Sequence, residues 1–185
     1  ILFGIGLSSL AGALMALVTN FAPNPFYLSD MITWMLGSVA NRSLLDIALV
    51  LPFMLAGLLL LLSQRKGLTL LSLGEDTAST LGLSLTTTRI CVVLGAGLAT
   101  GAAVSLAGVI GFVGIVTPHL VRPLVNYEPG KTIIPSAVLG GVFLVLIDIG
   151  VRIISTNVEL KIGVLAALVG APIFIWIASK SGRHE

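Results

Sequence analysis

The feature that most constrains this chain is a recurring pattern: windows of about twenty apolar residues that contain almost no charge. Six occur, at 1–18, 44–63, 89–107, 108–126, 133–154 and 162–179. A helix rises about 1.5 Å per residue, so each window is close to the length needed to cross roughly 30 Å of hydrocarbon. The pattern predicts an all-α, polytopic transmembrane helical bundle of about six spans, forming a single domain over residues 1–185. A soluble fold is a poor alternative, because only 10% of residues are charged where soluble domains carry about a quarter. The ten basic and eight acidic side chains fall mostly between the windows, as they must if the bilayer is the main solvent. Pro118, Arg122 and Pro123 interrupt the fourth window and predict a short or bent helix there.

Alternating the six windows sorts the cations by side. Arg65, Lys66, Arg89, Arg122, Lys131, Lys180 and Arg183 collect on one side, against Arg42, Arg152 and Lys161 on the other. The positive-inside rule then makes 64–88, 126–132 and the C-terminus cytoplasmic. The formal charge of +2, with no basic stripe interleaved with aromatics, gives no basis for nucleic-acid binding. Cys91 stands alone in an apolar window, the setting of a packing residue. Ile1 opens inside a hydrophobic stretch, so the chain is expected to begin mid-protein.

Two connectors are too rich to be turns. After the Pro23-Asn24-Pro25 break, residues 29–37 predict a helix of about two turns with Ser29 as N-cap and Gly37 as stop. At the external face it either gates a pathway or lies on the membrane surface, and its residues do not decide between these. Residues 73–83 predict a second short helix, bracketed by Gly74 and Gly82, with Glu75 and Asp76 favouring its N-terminus. Leu73, Ala78, Leu81 and Leu83 need cover, supplied either by a partner protein or by the chain's own membrane domain.

Gly95, Gly97, Gly101, Gly108, Gly111 and Gly114 crowd the third and fourth windows, and Gly97-x-x-x-Gly101 predicts close helix packing. His119 and Arg122 share a helix face near the cytoplasmic end, a structural role at a helix terminus. Asp148 and Arg152 stand four apart, acid first, the favourable order for a helical pair. Ser105 and His119 lack a third residue to complete a hydrolase site, and two histidines and one cysteine offer no metal-ligand spacing.

The stretch Gly-Val-Ile-Gly-Phe-Val-Gly-Ile-Val-Thr-Pro-His-Leu-Val-Arg at 108–122 resembles the permease subunits of bacterial ABC importers for iron-siderophores, haem and cobalamin. Their pattern there is Gly-x-Ile-Gly-Phe-x-Gly-Leu-x-x-Pro-His-x-x-Arg, which falls on Gly111, Phe112, Gly114, Pro118, His119 and Arg122. The likeness continues through Leu73-Gly74-Glu75 with Ala78, Leu81 and Gly82, and through Trp34-x-x-Gly37-Ser38. It ends with Glu159-Leu-x-Ile-Gly163 and Gly170-Ala171-Pro172-Ile173-Phe174. These blocks keep the family's order and cover nearly the whole chain. Lys161 departs from the family's Pro, and 127–130 departs from its Asp-His-Arg turn.

The resemblance implies a C-terminal fragment from about the fifth of ten spans onward, lacking the first four, in the bacterial cytoplasmic membrane. It implies an external gate helix at Asp30, Met31, Trp34, Leu36 and Gly37. An ATPase-subunit interface is implied at Leu73, Gly74, Glu75, Asp76, Ala78, Leu81, Gly82 and Leu83, and a substrate-binding-protein contact at Arg152 and Glu159. The implied partners are a second permease copy or paralogue, two cytoplasmic ATPase subunits and a periplasmic or surface-anchored substrate-binding protein. This subunit would hold no cofactor and no catalytic site of its own, ATP and Mg being used by the ATPase. The alternatives are an ion-coupled secondary transporter, which needs a carboxylate cluster at the midplane, and an intramembrane enzyme.

Overall fold

The computed structural model describes residues 2–21, 24–154 and 160–181. Nine α-helices and no strand occur among them: α1 (Leu2–Asn20), α2 (Pro25–Leu36), α3 (Leu44–Ser63), α4 (Arg65–Leu71), α5 (Glu75–Thr80), α6 (Leu85–Ala107), α7 (Val113–Val121), α8 (Pro129–Ile154) and α9 (Ile162–Ser181). A 3-10 turn, Arg122–Val125, follows α7. Helices α3, α6 and α8 are long and apolar enough to cross a membrane.

The fourth window is a short, broken helix, as its prolines predict. Helix α7 has nine residues and the 3-10 turn four, together about 21 Å long. Residues 108–112, outside any helix, cover the remaining distance, so the chain still returns to the end where α4 lies. That return is fixed by Gly130 in the first turn of α8, whose N–H donates to Thr69 Oγ1 of α4 at 3.3 Å. A Cβ on Gly130 would lie 2.2 Å from the Arg65 carbonyl oxygen.

The bundle therefore has two ends. At one, α4, α5 and the first turn of α8 meet; at the other, α2, the end of α6 and the start of α9 meet. Between them α3 packs on α6, crossing where Gly57 faces Gly95 and Ala99: a Cβ on Gly57 would come within 2.6 Å of the Gly95 carbonyl oxygen and the Ala99 nitrogen. The seam is thus Gly95-x-x-x-Ala99 and not the predicted Gly97-x-x-x-Gly101, whose two glycines have nothing within 4 Å. Two residues along a helix rotate a side chain by about 200°, and the predicted pair instead borders an open cleft with Leu49, Val50 and Phe53 of α3. Gly111 and Gly114 likewise face open space.

At the other end, three glycines bring three chain segments together. Gly37 N–H and Val109 N–H both donate to the Trp34 carbonyl, each at 3.2 Å, and Ser38 N–H donates to the Ala107 carbonyl at 2.7 Å. Gly163 N–H donates to the Gly37 carbonyl at 3.4 Å. A Cβ on Gly108 would stand 2.1 Å from the Trp34 oxygen, and one on Gly163 2.1 Å from the Leu36 oxygen. Gly108 also holds φ 72, ψ −164, a region open essentially to glycine alone. Beside this junction sits the small apolar core of Ile147, Ile162 and Ala166, with Ile110, Phe143, Leu144, Val151 and Leu165 packed on it.

These contacts rank the glycines. Gly108→Ala should destabilise the bundle by about 2 kcal/mol or more, from strain and the clash together. Gly97→Ala should be neutral or slightly stabilising, since alanine is the better helix former. Thermal unfolding of the detergent-solubilised protein checks the ranking, and equal losses from the two substitutions would contradict it.

Candidate functional site

Helix α5 is short because glycine stops it at both ends. Gly74, its N-cap, has φ 99, ψ 151, again a glycine region, with nothing within 4 Å of a Cβ there. At the C-terminus Gly82 has φ 84, its N–H donates to the Ser79 carbonyl at 2.9 Å, and Leu83 N–H donates to the Ala78 carbonyl at 3.0 Å. This pair of bonds is a Schellman motif, which satisfies the last carbonyls of a helix that has no room to continue.

The residues predicted to meet a partner divide into two sets. Ala78 is wholly buried, and Leu83 is half-buried with its Cδ1 3.1 Å from a Cβ placed on Gly67 of α4; both correct the prediction, being spent on the chain's own packing. Leu73 and Leu81 are each 60% exposed, and Gly74, Glu75, Asp76 and Gly82 are also exposed. So the two alternatives left open by the sequence each describe part of one helix: its inner side folds back, and its outer side is free. Helix α4, which no sequence signal marked, supplies the surface for that fold-back. A second unforeseen contact is an ion pair from Glu75 Oε1 to Arg89 Nη2 at 2.5 Å, which ties α5 to the first turns of α6.

The predicted external gate helix is longer than expected. It begins at Pro25, with Asn24 as N-cap accepting from Phe26 N–H through Oδ1 at 3.0 Å, and Ser29 lies inside it. Proline suits the first helical position, where its missing N–H has no partner to lose; what looked like a break is a start signal. Gly37 ends the helix at φ 70 as predicted. Met31 and Trp34, both half-buried, line a cleft of about 510 Å³ with Met15, Asp30, Thr33, Ser38 and Arg42. Leu36 is exposed at its side chain and joins the glycine junction through its carbonyl.

Arg152 Nε and Asp148 Oδ2 pair at 2.8 Å, as their spacing predicts. Arg152 remains 73% exposed in its side chain, and the pair borders a cleft of about 200 Å³ with Ser38, Ala40 and Lys161. Glu159 lies outside the described residues. In the motif at 108–122, Phe112 takes a left-handed φ of 65 and rests on Gly170, where a Cβ would come 2.5 Å from Phe112 Cβ. His119 Nδ1 lies 2.9 Å from the Ile115 carbonyl oxygen, and its ring meets Phe174 edge-on at 6.2 Å. Pro118 sits inside α7 and Pro172 inside α9. The motif is therefore a packing joint between α7 and α9. Arg122 is exposed, and its carbonyl accepts Tyr127 N–H at 2.9 Å. Ser105 Oγ donates to the Ala102 carbonyl at 2.9 Å, so its hydroxyl and the His119 ring each serve their own helix. Among the described residues no three of His, Cys, Asp and Glu come together.

The Glu75–Arg89 pair has both side chains more than half exposed, so Glu75→Gln should cost less than about 1 kcal/mol. Gly74→Ala touches nothing yet should cost about 1–3 kcal/mol, because its backbone conformation excludes a Cβ. Thermal unfolding of the two variants side by side checks this order; the reverse order would show that the ion pair, not the backbone, holds α5 in place.

The arrangement has known counterparts. The chain is 31% identical, with a TM-score of 0.89, to a metal-chelate-type ABC transporter solved in an inward-facing conformation, over 97% of this chain and 58% of that one. It is 37% identical to the uncharacterized ABC transporter permease protein YvrB of Bacillus subtilis, over 99% of this chain and 51% of the relative. With the vitamin B12 import system permease protein BtuC of Salmonella typhi it shares 36% identity, over 99% of this chain and 56% of the relative. The chain spans about half the length of these curated relatives. Its residues 1–180 match the FecCD transport family; the chain is an integral membrane protein and belongs to that family.

Proposed function

We propose that this chain forms part of the transmembrane permease subunit of an ATP-binding cassette importer. Its cargo is a ferric-siderophore or a related metal chelate, and it works in the bacterial cytoplasmic membrane. The relatives' names support the cargo class: besides the vitamin B12 permease, they include the iron-uptake system permease protein FeuB of Bacillus subtilis, 35% identical over 84% of this chain. The observation that carries the reading is α5. It is glycine-bracketed, exposes Leu73, Leu81 and Asp76, and is held to the foot of a 23-residue helix by Glu75 and Arg89. Exposed leucines beyond the lipid-facing spans need protein cover.

In this reading the end with α4 and α5, which gathers Arg65, Lys66, Arg89 and Lys131, is cytoplasmic, and so is the C-terminus. Two ATPase subunits use ATP and Mg and dock on α5. The permease holds no cofactor or catalytic residue of its own, and pairs with a second permease copy or a paralogue. Helix α2, at the opposite end, gates the pathway. Arg152, beside it, meets an acidic residue of a substrate-binding protein. Transport follows from a difference in α5's contacts between two states, since only a differential contact shifts a conformational equilibrium. A secondary transporter finds less support, because Asp148 is already paired with Arg152.

In the intact transporter, Leu81→Asp should reduce uptake and substrate-stimulated ATP hydrolysis at least tenfold while leaving the permease's melting temperature within about 2 °C of the parent, because Leu81 is 60% exposed. Liposome transport with candidate chelates, alongside co-purification of the ATPase, provides the check. Undiminished uptake in Leu81→Asp and in Leu73→Asp would refute docking on α5.

A further inference from the structure

Contact between α4 and the first turn of α8 gathers cations that are more than sixty positions apart in the sequence. Arg65, Lys66 and Lys131 line one cleft of about 680 Å³, together with Thr69 and a single carboxylate, Glu128. Lys131 Nζ pairs with Glu128 Oε2 at 2.7 Å. Among the described residues, Arg65 and Lys66 have no acidic partner. The rest of the lining is apolar: Leu62 from the last turn of α3, Leu70 of α4, and Ile134 and Pro135 of α8.

Leu62, Ile134 and Pro135 belong to helices long enough to span the membrane, whereas Arg65 and Lys66 begin directly beyond the end of α3. The cleft thus has an apolar floor at the edge of the hydrocarbon and a cationic rim one or two turns further out, at headgroup depth. Such a gradient matches a molecule with a phosphate joined to an acyl-bearing glycerol. Basic pockets between transmembrane helices attract anionic headgroups for this reason, through charge above and apolar burial below. A protein surface docking here would have to cover the floor as well, and no residue of α5 takes part in the lining.

We propose that this cleft binds the headgroup of an anionic phospholipid, with Arg65 and Lys66 on the phosphate and Leu62, Ile134 and Pro135 under the proximal acyl chain. Lys131 then contributes less, because Glu128 already engages it. The assignment does not depend on the direction of transport or on the cargo.

The test uses the intact permease, co-purified with its ATPase and reconstituted in nanodiscs of phosphatidylcholine with or without phosphatidylglycerol. Retained lipid is counted by native mass spectrometry, and melting temperature is read in both compositions. The parent should retain phosphatidylglycerol selectively and melt several degrees higher in its presence. Arg65→Gln/Lys66→Gln should lose that retention by about fivefold per cation removed, while melting as the parent does in phosphatidylcholine alone. Glu128→Gln, which removes the competing carboxylate, should retain at least as much as the parent. If the double variant does not fold, Lys66→Gln alone and Glu128→Gln still bracket the parent in opposite directions. Unchanged retention in the double variant would overturn the proposal. So would equal stabilisation of the parent in phosphatidylcholine by millimolar inorganic phosphate, or loss of the ATPase from the double variant with its lipid intact.

Discussion

Everything at one end of this bundle depends on three backbones approaching closer than any side chain would permit. Gly37, Gly108 and Gly163 come from segments far apart in the chain, and each lacks the atom that would collide with a carbonyl of another segment. The approach solves a problem specific to a membrane. Residues 108–112 are not helical, and unsatisfied peptide groups at depth are costly where no water can reach them. The Val109 N–H reaches the Trp34 carbonyl, and the Ser38 N–H the Ala107 carbonyl, only because the glycines let the segments meet. The short α7 is a consequence: once part of the crossing is made by non-helical backbone, nine helical residues and a 3-10 turn complete it.

The opposite end has one such approach, Gly130 to the Arg65 carbonyl, and otherwise relies on side chains. There the Gly130 N–H donates to the Thr69 hydroxyl, an ion pair is exposed and Ala78 of α5 is buried. Individually these are weak: a surface pair contributes under about 1 kcal/mol and a single hydrogen bond about 1 kcal/mol. One end is thus locked by three close backbone approaches, and at the other α5 is held by separable side-chain contacts. A single uninterrupted helix of about 35 Å, α6, joins the two, with Arg89 near its foot and Ala107 bonded to Ser38 at its top. Under the proposed function, α6 gives a displacement of α5 a direct route to the segment that ends α2.

The sequence made the spans legible because hydrocarbon selects for length and lack of charge, and both can be counted. It made α5 legible because two glycines bound a stretch headed by Glu75 and Asp76. It did not show which glycines touch. Gly97 and Gly101 have the spacing of a packing pair, yet the seam runs through Gly95 and Ala99. Spacing along one helix says that two small residues share a face, and only the partner's position says which face is covered. Pro25 failed differently: a proline after Asn24 marks either the end of structure or the first turn of a helix, and the choice rests on whether the residues beyond it are helical.

The same limit governs the candidate site. Leu73, Ala78, Leu81 and Leu83 all call for cover, and no periodicity argument could separate those the chain covers itself from those it leaves open. The separation comes from α4, a seven-residue helix too short for its pattern to stand out. Gly67 in α4 is buried and admits the Leu83 side chain, so Leu83 faces inward while Leu81, two residues earlier, faces out. Under the proposed function, the surface of α5 open to a partner is Leu73, Asp76 and Leu81 and not the whole helix. The outer surface of α5 is unconstrained by this chain's own packing, while Ala78, Leu83 and Gly67 are held to its geometry.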